Sequence, residues 1–138
     1  MSGFSQAYGT KILEHITGKK ELAKPTVWLA LLTVVPTSSS TGATITEASY
    51  TGYVRREVPA ALWNSAVAGT PNTITNKEAF TFAAVTGGTS TIIAWATLDS
   101  SETGKGNVVM WGTAASTVLS TTQTPASVAA EVLSETLQ

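Results

Sequence analysis

Few residues of this 138-residue chain are equipped for chemistry. It has one histidine and no cysteine, so thiolate metal sites, disulfide exchange and cysteine nucleophiles are excluded together. His15 follows Glu14 directly and reads as part of a solvated helix face. A Ser–His triad would need a buried carboxylate behind it, and no Gly-x-Ser-x-Gly elbow occurs. Asp99 is the sole aspartate; with Glu102 it lacks the Asx-rich spacing of a calcium loop, and turn chemistry is its better reading. Glu14, Glu47 or Glu78 with Asp99 would be the raw material of a cell-wall hydrolase, which needs two carboxyls about 5–10 Å apart across a cleft. Thr86-Gly87-Gly88-Thr89-Ser90 lacks the Gly-Lys-Ser/Thr ending of a phosphate loop and reads as a β-turn. The expectation is no catalytic, cofactor-binding or metal-ligating residue, and no cofactor.

The elements that would position side chains are easier to read. Phe4, Tyr8, Ile12 and Ile16 recur every four residues, with Ala7 and Leu13 beside them, which predicts one face of a short helix over 4–16 ended by Gly18. Lys19 to Pro25 reads as a linker. Val27 to Val35 is almost wholly apolar, the pattern of a strand covered on both faces. Pro36 to Gly42 is a loop, and Tyr53 to Val58 a strand with Arg55 and Arg56 on opposite faces. One arginine is expected to face outward; the other needs a carboxylate if it points in.

A further strand is expected over Ile74 to Ala84, with Phe80, Phe82 and Ala84 on one side. Thr91 to Leu98 and Val108 to Thr113 read as a hairpin, with Ile93, Trp95 and Thr97 opposing Ile92, Ala94, Ala96 and Leu98. Thr124-Pro125 offers a helix start, but strand is the reading preferred for Glu131 to Leu137. Of the four tryptophans, Trp28, Trp95 and Trp111 fall in strand patterns and read as core, while Trp63 is a candidate interface residue. The fold class expected is mainly β: an antiparallel, jelly-roll-like β-sandwich over 25–138, preceded by a helix and linker over 1–24.

Composition narrows the partners. Net charge is −1, which gives nucleic acid no bulk attraction. Charged residues make up 12% against an average near ~25%, and their place is taken by 24 Thr and 14 Ser. No apolar run approaches the ~18–20 residues of a membrane span, and no secretion leader is visible at the start. The expectation is that the product folds and remains in the cytoplasm where it is made, unless an assembly carries it elsewhere, with no membrane partner.

The order of motifs resembles a family of small bacteriophage virion proteins labelled minor tail or tail-fibre proteins. An apolar strand ends at a proline in Val27–Pro36; a Gly-Tyr-x-Arg strand follows as Gly52-Tyr53-Val54-Arg55. An Asn-x-x-x-x-Phe segment and an Ala-x-x-Gly turn look like Asn76 to Phe82 and Ala84 to Gly87. An Asp–Gly-rich loop and a Trp-Gly pair close the pattern with Asp99, Gly104, Gly106 and Trp111-Gly112. The chain departs at Ala96, where the family tends to carry glycine, and in its longer segment around Pro125 to Ala130. The resemblance implies a non-enzymatic structural virion protein. Without shaft repeats, a compact domain suits a capsid decoration protein on the head lattice, bound to the major capsid protein. The alternative is a minor tail or tail-tip component among tail proteins, with host-surface or carbohydrate binding. Self-association is expected, a homotrimer being the most economical arrangement, with Phe4, Tyr8, Ile12, Ile16 and Trp63 as the candidate interface.

Overall fold

A computed structural model describes residues 2–69 and 72–137. In chain order they form β1 (Ser2–Phe4), α1 (Gln6–Ile16), β2 (Trp28–Leu32), β3 (Arg56–Glu57), a 3₁₀ turn at Ala60–Leu62, β4 (Asn72–Thr75), β5 (Phe80–Thr81), β6 (Thr89–Leu98), β7 (Val108–Ser120), β8 (Ser127–Val128) and β9 (Ser134–Leu137). Five strands make one antiparallel sheet in the order β1-β7-β6-β2-β3, and β4-β9 and β5-β8 are two antiparallel ribbons. The protein is mainly β, antiparallel and sandwich-like, with one short N-terminal helix.

Both faces of the sheet centre are buried, as the unbroken apolar run of β2 requires. Leu29, Leu31, Trp95 and Met110 join Tyr50, Phe80, Phe82 and Leu133 in one cluster, so the β5-β8 ribbon covers that face. Ala30, Leu32, Ala94, Ala96, Leu98, Val108 and Trp111 form a second cluster on the alternate face, with Ile45 against it. Each fully buried leucine contributes about 1.5–3 kcal/mol. Gly112 is required by contact: a Cβ there would stand 2.7 Å from the Trp95 ring.

Several boundaries differ from those the sequence predicts, each for a local reason. Phe4 lies on β1, opposite Met110, and not on the helix. Ser5 separates the two elements: its backbone is extended (φ −67°, ψ 158°) and its Oγ accepts the Tyr8 N–H, an N-cap that starts α1 at Gln6. The helix ends as expected, with Gly18 left-handed at φ +70° and its N–H on the His15 carbonyl. β2 stops at Leu32 because the Thr33 N–H leaves the ladder for the Thr46 carbonyl. The 53–58 segment keeps only Arg56–Glu57 as strand, and 74–84 divides into β4 and β5 around the fully buried Asn76.

The hairpin is present but longer, with β7 running to Ser120. A bulge sets Ala114, Ala115 and Ser116 against Ile93 alone, since Thr113 pairs with Ala94 and Thr117 with Ile92. That irregularity moves Ile92 into the Trp95 cluster, against the strict alternation expected of it. The C-terminal strand forms over Ser134–Leu137, and the 125–130 stretch takes β8 and a turn where a helix was the alternative.

Candidate functional site

The motif residues converge on one buried ion pair. Arg55 and Glu47 have side chains 0% and 4% exposed. The guanidinium grips the carboxylate with both prongs, Nη2 to Oε1 at 2.7 Å and Nε to Oε2 at 3.1 Å. Its Nη1 donates to the Ser100 and Lys105 carbonyls at 2.7 and 3.0 Å, and so ties down the loop between β6 and β7. Tyr53 Oη donates to Glu47 Oε2 at 2.8 Å and accepts the Leu31 N–H at 3.2 Å. Burial first, then the Glu47 charge, pushes the Tyr53 phenol well above its usual range and keeps it a donor. Arg56, on the other face, is exposed. The inward arginine has the carboxylate its burial demands, and the carboxylate is Glu47.

Gly52 makes this possible with φ +95°, turning the chain beside the Thr51–Gly87 bridge. Tyr53 stacks on Phe82 with centroids 6.5 Å apart and meets Tyr50 edge-on at 5.5 Å. The Gly-Tyr-x-Arg, Ala-x-x-Gly and Asp–Gly signatures are thus parts of a single clamp. Asn76 is a second one. Its side chain donates to the Glu78 and Ala129 carbonyls and accepts the Leu133 N–H, stapling the C-terminal segment to β4.

Of the four candidate acids, Glu47 and Asp99 are committed to structure, while Glu14 is half-buried and Glu78 exposed. Asp99 accepts the Asn107 N–H at 2.6 Å, the Asn107 amide at 3.0 Å and the Tyr8 hydroxyl at 3.2 Å, which is the turn role its position implied. Burial alone would raise its pKa; the Asn107 and Tyr8 hydrogen bonds and the Lys11 charge outweigh that and hold it below the usual value. Glu102 pairs with Lys105 on the surface. His15 is exposed, and its Nδ1 accepts the Leu22 N–H at 3.2 Å. Among the described residues no three His, Cys, Asp or Glu side chains are grouped to hold a metal. Nor is any helix there long and apolar enough to cross a membrane.

The candidate interface residues separate into two sets. Tyr8 is 5% exposed and Phe4 packs against the main core, so both belong to the chain's own interior. Trp63 is half-buried against the same core. Ile12 is half-buried, and only Ile16, 69% exposed, faces outward, joined by Leu13 at 62%. The surface stripe is therefore the last turn of α1. Ser5 and the Arg55–Glu47 pairing escaped prediction as specific contacts; a serine ahead of a helical run was the one local signal available. A polar crevice of about 380 Å³ lies beside α1, lined by Tyr8, Lys11, Glu14, Lys20, Glu21 and Asp99, so of the acid pairs a hydrolase would use it brings Glu14 and Asp99 to one crevice; an apolar one of about 330 Å³ lies between the sheet and the 123–133 segment.

A family model described as podophage GP4 fiber I protein gp80 matches residues 3–135. The chain belongs to that family. A member of the fiber I family is a structural phage protein and a component of the virion. No curated protein matches the chain. The match runs from β1 into β9, so the N-terminal strand and helix are part of the family's extent.

Proposed function

We propose that this fiber I family member is a non-enzymatic subunit mounted on the phage particle as a fibre component, docked on neighbouring tail proteins through the exposed last turn of α1. The fibre description of the family, matched across nearly the whole chain, carries the reading. The non-enzymatic part is supported by the fate of two of the four candidate acids: Glu47 is locked to Arg55, and Asp99, which shares the α1 crevice with Glu14, is held by Asn107 and Tyr8. The docking part is supported by Leu13 and Ile16, which cost solvation where they stand and gain by being covered.

Capsid decoration is the second reading, with the major capsid protein as partner. It is favoured by the compact antiparallel domain and by the Thr/Ser-rich, weakly charged composition, which suits contacts burying neutral area. Counting copies in purified virions by quantitative mass spectrometry separates the two. A fibre component is present far below one copy per capsid subunit. Near-stoichiometric amounts would establish decoration, and absence from purified virions would end both readings.

A further inference from the structure

The C-terminal segment is tied to one part of the molecule and only laid against another. Among the described residues its backbone ladders run to the 72–82 stretch: β9 pairs with β4, β8 with β5, and the Phe82 N–H reaches the Ala126 carbonyl. Towards the five-stranded sheet it makes a single backbone hydrogen bond, from the Gln123 N–H to the Ser120 carbonyl at the end of β7. Residues 123–134 otherwise rest on the sheet by side chains, and of these only Leu133 is buried. The packing beneath is incomplete. The apolar crevice of about 330 Å³ lies between Leu29, Leu31 and Trp95 on the sheet and Val128, Val132 and Leu133 on the segment. Atoms lining such a space forgo the dispersion contacts that would hold the two layers shut.

What holds the segment is concentrated at one residue. Asn76 is fully buried, and its N–H and side-chain amide donate to the Leu133 and Ala129 carbonyls. Its main-chain carbonyl accepts the Glu131 N–H, and its Oδ1 accepts the Leu133 N–H. Within this pattern Glu131 stands left-handed at φ +63°, the one non-glycine residue to do so among those described. A side chain in that conformation strains the backbone, and the strain is relieved when the segment lets go.

We propose that residues 123–137 form a latch that opens as one unit while the five-stranded sheet stays folded. The bonds around Asn76 share one partner, so losing that partner releases Ala129, Glu131 and Leu133 together, and the opening is cooperative. Under-packing against the sheet and the strained Glu131 favour release; the Asn76 network and the buried Leu133 oppose it. Opening frees β8 and β9 from their ribbons and bares Leu29, Leu31 and Trp95. A subunit built in this way changes its surface without unfolding its main sheet. The proposal is independent of the α1 docking contact and of the place the protein takes on the particle.

Native-state hydrogen exchange of the full chain reads the latch directly. The Phe82, Glu131 and Leu133 amides are each bonded across it. They should share one protection factor, about a hundredfold or more below that of the β6 amides. The absence of native cysteine allows a lock. Thr81 and Ser127 face each other on β5 and β8 and are both exposed. Thr81→Cys with Ser127→Cys, oxidised, joins the latch to its seat, because facing antiparallel residues lie within disulfide reach. The locked variant should bring all three amides up to the protection of β6, and reduction should undo this. Glu131→Asn, which takes the left-handed conformation more readily, should raise the same protection several-fold. Protection of the three amides equal to that of β6 in the native chain would overturn the proposal. So would a steady gradient from Phe82 to Leu133, as in a fraying end, or a locked variant whose Leu133 amide exchanges as fast as before.

Discussion

Replacing Arg55 with Ala should be among the most damaging single changes in the protein. The substitution removes four hydrogen bonds at once: two to Glu47, one to the Ser100 carbonyl and one to the Lys105 carbonyl. What remains is worse than the loss itself. Glu47, with a side chain 4% exposed, is left with only the Tyr53 hydroxyl and a long 3.4 Å contact from the Gly104 N–H to satisfy it. Breaking a buried pair on one side in this way costs about 3–5 kcal/mol. With urea m-values of roughly 1–3 kcal/mol/M, the unfolding midpoint should fall by about 2 M. Glu47→Met combined with Arg55→Met removes both charges and fills the space, and should cost less than Arg55→Ala alone. Equilibrium unfolding followed by tryptophan fluorescence reads all three proteins. A loss below about 1 kcal/mol for Arg55→Ala, or a double variant less stable than Arg55→Ala, would refute the clamp.

Asn76→Ala should destabilise by about 2–3 kcal/mol, because the Leu133 N–H and the Ala129 carbonyl lose their partner in a fully buried place; hydrogen exchange should then show early opening of β9. Tyr8 should produce an alkaline transition. Burial first, then the Asp99 charge and the hydrogen bond to it, push its pKa from 10.0 up to about 12. Folding thus favours the neutral phenol, with the full contribution present below pH 10 and lost as pH rises through about 12. Urea midpoints measured from pH 9 to 12.5 should fall across that window, and Tyr8→Phe should flatten part of the fall. On the acid side, Asp99 contributes above its ordinary 3.8 and loses that contribution as pH drops below it. Leu13→Ser with Ile16→Ser should change stability by no more than about 0.5 kcal/mol per site, yet sharply reduce recovery of the protein in purified particles; unchanged recovery would remove α1 as the docking element.

The sequence was most legible where local pattern and burial agree. The unbroken run of β2, the β6–β7 hairpin and the helix stop at Gly18 all follow from propensity and periodicity, whereas Gly87, read as part of a β-turn, bridges Thr51. It was less legible where a single polar side chain decides. Ser5 ends the apolar stripe one residue before the helix begins, Asn76 breaks a strand in two, and the Ala114–Ser116 bulge shifts the face of Ile92. Each is a long-range hydrogen-bonding or register event, and period counting sees only neighbours along the chain. The pairing rule for Arg55 was readable; its partner, eight residues earlier across a turn, was not. The interface stripe divided for a similar reason, since helical spacing cannot tell a side chain buried on its own sheet from one left for a partner.

Location on the particle tests the central claim most directly. Purified virions labelled with a gold-conjugated antibody against this domain, and imaged by electron microscopy, give the answer in one experiment. A fibre component places the label at the fibres and tail, with bare capsid faces. Label spread over the head lattice, or particles that carry none, would contradict it.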